Sequence, residues 1–209
     1  MDILILIFEI IGTVAFAISG AITAMKKDMD LLGVLILSFT TALGGGVIRD
    51  VLLGINPPTT FTNPLYAFIA LLTALIVFLP FTDKVVEKTK LPFEVILLVM
   101  DAIGLGIFTV LGVRTAYSTN PDSSIFLLVF LGALTGVGGG VLRDIITSDP
   151  PYIFVKHFYA SAAIIGAIVC SVILRFSNDY LALICGTVII IILRLCAAHF
   201  HWKLPKHKS

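Results

Sequence analysis

Seven apolar runs, each long enough to cross a hydrocarbon core of ~30 Å, occupy almost the whole chain. They are Ile3 to Met25, Leu31 to Ile55, Pro64 to Phe81, Phe93 to Arg114, Ile125 to Thr147, Tyr152 to Phe176 and Tyr180 to Ala198. Such runs leave few folds open, because in lipid every backbone N–H and C=O must be satisfied within the segment, and that selects helices. The separators KKDMD, NPPTTFTNP, TDKVVEKTKLP, YSTNPDSS, SDPP and SND carry the breakers expected between helices. None is large enough to form a domain. The reading is an all-α polytopic membrane protein with seven transmembrane helices, one transmembrane domain over 1–198 and a tail over 199–209.

Composition agrees: 58% of the 209 residues are hydrophobic and 13% charged, about half the charged share of a soluble domain. A net charge of +1 from 14 basic and 13 acidic residues gives no footprint for nucleic acid. The first residues lack a basic n-region and carry Asp2 and Glu9, so they read as a retained span rather than a cleaved signal. Cys170, Cys185 and Cys196 have no paired spacing and read as small buried apolar residues. Enzyme motifs are absent, and no cofactor is implied.

Loop lysines stay on the cytoplasmic side. Lys26, Lys27, Lys84, Lys88, Lys90, Lys156, Lys203, Lys206 and Lys208 all fall on one side of this arrangement, while the other side holds Arg114 and Arg175 at helix ends. That places the N-terminus outside and the C-terminus in the cytoplasm, in a cell (inner) membrane.

The chain also repeats itself. EIIGTVAFAISG from Glu9 matches DAIGLGIFTVLG from Asp101, with Gly12, Phe16 and Gly20 recurring as Gly104, Phe108 and Gly112. LGGGVIRDVLLGINPP matches VGGGVLRDIITSDPP, so that Gly44, Gly45, Gly46, Arg49 and Asp50 recur as Gly138, Gly139, Gly140, Arg143 and Asp144. The units are repeat one at about 1–83 and repeat two at about 93–177, followed by an extra helix at about 180–198. Each repeat holds three helices, an odd number, so the second enters the membrane from the opposite side. Inverted repeats of this kind place a substrate or ion path at their interface near the midplane.

Three successive glycines cost roughly 1 kcal/mol each in a helix interior. One explanation is close helix packing. The other is a kink or unwound turn whose free carbonyls line a path, and the mirrored positions favour it. Ionisable residues inside the spans are the next candidates. Glu9 and Arg49 lie at one depth and Asp101 and Arg143 at the mirrored depth. Neighbouring helical residues point about 100° apart, so the expected ion pairs are Glu9–Arg49 and Asp101–Arg143 rather than the adjacent Arg–Asp pairs. Asp50 and Asp144 then give an excess of two negative charges, which favours cations.

Arg114, Arg175 and Arg194 lie near span ends and are expected to snorkel to headgroups. His199, His201 and His207, beside Trp202, read as an interfacial anchor, and His157 with Tyr152 and Tyr159 as a girdle. Ser19, Thr23, Thr40, Thr41, Thr109 and Thr135 are polar enough to line a water path.

The paired GGG-x-x-R-D motifs in two three-helix repeats with an extra helix resemble the bacterial branch of the trimeric intracellular cation (TRIC) channel family, also known as a bacterial glycine-transporter domain. The resemblance implies a homotrimer with a pore in each protomer, permeable to K+ and less selectively to Na+, passing Gly44 to Gly46 and Gly138 to Gly140. Animal members carry a Lys-Glu-Val signature linked to phosphoinositide binding where this chain has Val47, Ile48 and Arg49. An anionic lipid could still meet Arg49 or the cytoplasmic lysines. The competing class is a secondary transporter of a small amino acid such as glycine, which inverted repeats fit equally well.

Overall fold

The computed structural model describes residues 3–79, 92–155 and 158–202. Its helices are α1 (Ile3–Met25), α2 (Leu31–Leu52), α3 (Thr59–Thr62), α4 (Leu65–Phe78), α5 (Phe93–Thr119), α6 (Ile125–Ile146), α7 (Tyr152–Val155), α8 (Tyr159–Phe176) and α9 (Asp179–His199). Six are long and apolar enough to cross a membrane. The expected third span is α4, whose 14 residues rise only about 21 Å. The expected sixth span is broken into α7 and α8 at Phe158, which sits in left-handed backbone at φ 64°. Of the orientation signals, Lys84, Lys88, Lys90, Lys156, Lys203, Lys206 and Lys208 lie outside the described residues, as do His157 of the expected girdle and His207 of the expected anchor.

Local chemistry repeats with the sequence. Asp30 caps α2 by accepting from Gly33 N–H at 2.8 Å, and Ser124 caps α6 by accepting from Leu127 N–H at 3.2 Å. At the far ends, Ile55 N–H donates to the Asp50 carbonyl at 2.8 Å and Asp149 N–H to the Asp144 carbonyl at 2.9 Å. Each turn passes through a left-handed residue, Gly54 at φ 72° and Ser148 at φ 56°. These are helix-ending turns that satisfy the last carbonyls, with glycine in one copy and serine in the other.

Packing between the units is reciprocal. A methyl group on Gly45 would stand 2.2 Å from the Thr135 carbonyl oxygen, and one on Gly139 would stand 2.0 Å from that of Thr41. Gly12 likewise faces Phe108 and Gly104 faces Phe16, whose rings stack at 5.3 Å. In every case residue i meets j′ and j meets i′, the contact pattern of a twofold interface. Positions rise along one helix as they fall along the other, so α1 runs antiparallel to α5 and α2 antiparallel to α6.

The middle glycines are therefore the helix crossing. α2 and α6 are continuous across both triplets; the expected unwound turn is absent, because bare backbone is used here for close approach rather than for opening the helix. Around this axis α5 is the central helix, packed on α1, α6, α8 and α9. Ile3, Phe68, Phe126 and Phe176 point outward and exposed, as lipid-facing side chains do.

Candidate functional site

At one end of the axis, Arg143 is fully buried. Its Nη1 donates to Asp101 Oδ1 at 2.8 Å and to Ser19 Oγ at 2.5 Å, while Nε donates to Asp144 Oδ1 at 2.9 Å. The guanidinium also lies 4.8 Å from the centre of the Tyr152 ring. Four elements, α1, α5, α6 and α7, thus meet on one side chain. The expected Asp101–Arg143 pair forms, and the adjacent Asp144 joins it.

At the other end the expected Glu9–Arg49 pair does not form. Arg49 instead turns back on its own neighbour, with Nε and Nη2 donating to Asp50 Oδ1 at 2.8 and 2.6 Å. Glu9 accepts from the Tyr66 hydroxyl of α4. The physical reason lies in the repeat itself. Ser19, which helps to hold Arg143, corresponds to Leu111, which offers no acceptor; and α4 brings a phenol to Glu9. The 100° separation of adjacent side chains fails as an argument for a residue as long as arginine, whose stem can fold back.

Asp50 and Asp144 have a second task. Asp50 Oδ2 accepts from the backbone N–H and the hydroxyl of Thr59 at 2.8 and 2.6 Å, and Asp144 Oδ2 accepts from Tyr152 N–H at 2.8 Å. Each aspartate thereby fixes the short helix that follows the Pro-Pro turn. Both carboxylates are tied to arginine and backbone.

Beside these networks lie two small cavities. One, of about 50 Å³, is lined by Glu9, Thr13, Gly46, Arg49, Thr59 and Tyr66. The other, of about 100 Å³, is lined by Lys26, Glu94, Asp101, Tyr152 and Arg194. The glycine triplets divide accordingly. Gly44 packs on Leu142 and Gly138 on Gly45, and Gly45 and Gly139 form the crossing. Gly46 faces the first cavity, and Gly140 faces Tyr159, Arg143 and Asp101, with a methyl there 3.1 Å from the Tyr159 hydroxyl.

Arg194 departs from expectation. It is 2% exposed and stacks over Tyr159 at 4.6 Å, so it does not snorkel to the headgroups. Arg114 pairs with Asp179 at 3.0 Å, and Arg175 donates to the Ser123 carbonyl. Cys170 is buried, and Cys185 and Cys196 are half-buried, all as free thiols. Trp202 packs edge-on against Phe158 at 5.3 Å. Tyr66, Tyr159 and Arg194 were not among the candidate site residues. The tyrosines are spaced like Pro57 and Pro150, so extending the self-comparison past the Pro-Pro turn finds them. Arg194 has no such signal, because α9 has no copy.

Fold and site define a polytopic helical membrane protein made of two fused three-helix units, with buried charge networks at both ends of their shared axis. The glycine transporter family model matches both units, at residues 6–81 and 98–175, and the chain belongs to this family, that of the prokaryotic TRIC channels. It is 38% identical over 199 residues to the inner membrane protein YadS of Escherichia coli strain K12, covering 94% of this chain and 93% of that one. The membrane protein YvgT of Bacillus subtilis strain 168 is 34% identical, covering 95% and 94%. Among solved structures, a TRIC cation channel studied for its conductance superposes with TM-score 0.84 at 44% identity, covering 97% of both chains. The TRIC orthologue of Rhodobacter sphaeroides superposes with TM-score 0.85 at 28% identity, covering 96% of this chain and all of that one. The six spans and these relatives make the chain a multi-pass inner membrane protein.

Proposed function

We propose that the protein is a monovalent cation channel, permeable to potassium, with a pore in each protomer of a homotrimer. The observation that carries this reading is a pair of cavities at opposite ends of the shared axis, each lined by a carboxylate of the repeat, Glu9 in one and its counterpart Asp101 in the other. The path runs past Gly44 to Gly46 of α2 and Gly138 to Gly140 of α6. Gly46 and Gly140 face its two ends, and Gly45 and Gly139 hold its walls together. Glu9, Asp50, Asp101 and Asp144 against Arg49, Arg143 and the buried Arg194 leave one excess negative charge, which favours cations. The similarity to solved TRIC cation channels supports the same class, and the trimer rests on that similarity.

Lys26 and Lys27 favour the cytoplasmic side for the Asp101 end, with the Glu9 end outside. α4 supplies the third of seven spans. A cysteine at Ser118 is then labelled from outside by an impermeant thiol reagent, and the reverse result inverts the topology. Function is tested with purified protein in planar bilayers under asymmetric KCl. Unitary currents that reverse toward the potassium potential establish the channel; saturable, electrically silent glycine uptake into vesicles instead makes it a carrier.

A further inference from the structure

The two charge networks are copies, but their surroundings are not. Among the described residues, the Glu9 end gathers two carboxylates, Glu9 and Asp50, and one cation, Arg49. Its net charge is −1. The described residues of the Asp101 end set Asp101, Asp144 and Glu94 against Arg143, Lys26 and Arg194, so that these groups sum to zero. The imbalance comes from one residue. Lys26 and Glu94 cancel as a pair at 2.8 Å, and the remaining four groups, Asp101, Asp144, Arg143 and Arg194, have counterparts at the Glu9 end except for Arg194. That arginine comes from α9, the helix outside both repeats.

Arg194 is also unlike the other two arginines in how it is held. It is buried, it lines the cavity next to Asp101, and among the described residues it forms no ion pair. Its Nε has no hydrogen-bond partner, and neither does Asp101 Oδ2. Its visible support is the face of Tyr159. Its charge therefore acts on the cavity instead of being cancelled by a carboxylate in contact.

We propose that Arg194 makes conduction through this protein directional: cations enter more readily from the Glu9 end than from the Asp101 end. The inference rests on the channel reading above. A net negative charge at a low-dielectric mouth raises the local cation concentration and the entry rate, and a neutral mouth does not. The effect is screened by salt, with a Debye length of ~10 Å at 0.1 M and ~3 Å at 1 M.

The test is single-channel recording in symmetric KCl, with orientation fixed by one-sided thiol modification of a Ser118→Cys background. At about 0.1 M KCl the current carried from the Glu9 end should exceed the opposite current by roughly 1.5- to 2-fold, and the ratio should fall toward one at about 1 M. Arg194→Gln should raise only the current entering from the Asp101 end and bring the ratio to about one, whereas Arg194→Lys should keep it. Glu9→Gln reads the same balance from the other end, lowering only the current that enters there, so the inference stays testable if Arg194→Gln does not assemble. A wild-type channel with equal currents at low salt, or variants that leave the ratio unchanged, overturns the inference while the channel reading stands. Absence of unitary currents from wild-type protein overturns the channel reading instead.

Discussion

Arg143 and Asp101 meet at 2.8 Å where neither side chain is more than 1% exposed, so each charge depends on the other. Removing one partner of such a pair costs about 3–5 kcal/mol. We expect Asp101→Asn and Arg143→Met each to lower the thermal unfolding temperature in detergent sharply, and the double variant to recover part of the loss. Additive effects in that cycle would show the pair to be energetically silent. Glu9→Gln should cost much less, about 1 kcal/mol, because it changes a single hydrogen bond from Tyr66.

The glycines separate packing from path. Gly45→Ala places a methyl 2.2 Å from a backbone oxygen of the facing helix, and overpacking against a group that cannot rotate away costs about 1–3 kcal/mol or more. It should lose folded oligomer on size-exclusion chromatography. Gly46→Ala meets nothing closer than 3.8 Å, so it should purify as wild type and act on unitary conductance. An intact oligomer from Gly45→Ala together with wild-type currents from Gly46→Ala would remove both assignments.

Ser148 occupies the left-handed position that Gly54 fills in the other repeat. A non-glycine residue there bears about 1–2 kcal/mol of steric cost, partly offset by the lost entropy of glycine. Ser148→Gly should therefore raise the unfolding temperature by the equivalent of about 0.5–1 kcal/mol, and Gly54→Ala should lower it. Equal unfolding temperatures for Ser148→Gly and wild type would show that the turn relaxes.

Lys27 joins the α1–α2 connection to Asp149 beyond α6 at 2.7 Å, linking the two units at the Asp101 end. The hydrogen bond from Lys27 holds the Asp149 carboxyl below its ordinary range, helped by Thr147 and opposed by slight burial. A depressed folded-state value means that the contribution is present above the unfolded value, near about 4, and is lost as the pH falls through the folded one. Lys27→Met should lower stability slightly near neutral pH, as expected for an exposed pair. The difference from wild type should vanish in acid; a constant offset would point to packing of the lysine stem instead.

Six of the spans, the repeat and the duplicated carboxylates and arginines of both charge networks could be read along the chain, because lipid fixes the composition of a helix and a duplicated motif announces its own copy. Gly45 and Gly139 were legible as a pair for the same reason, but not as a crossing, since a bare backbone serves a close contact and an open turn equally well. Partner choice was legible at the Asp101 end only. Arg143 takes Asp101 because Ser19 stands beside it, and Arg49 folds onto Asp50 because Leu111 stands in the matching place and Tyr66 has claimed Glu9. Arg194, near a span end in the chain, is buried with its guanidinium over the Tyr159 ring, on a helix that packs against α5. Burial and pairing depend on what neighbouring helices bring to within a few ångströms, and the order of residues along one helix holds no record of that.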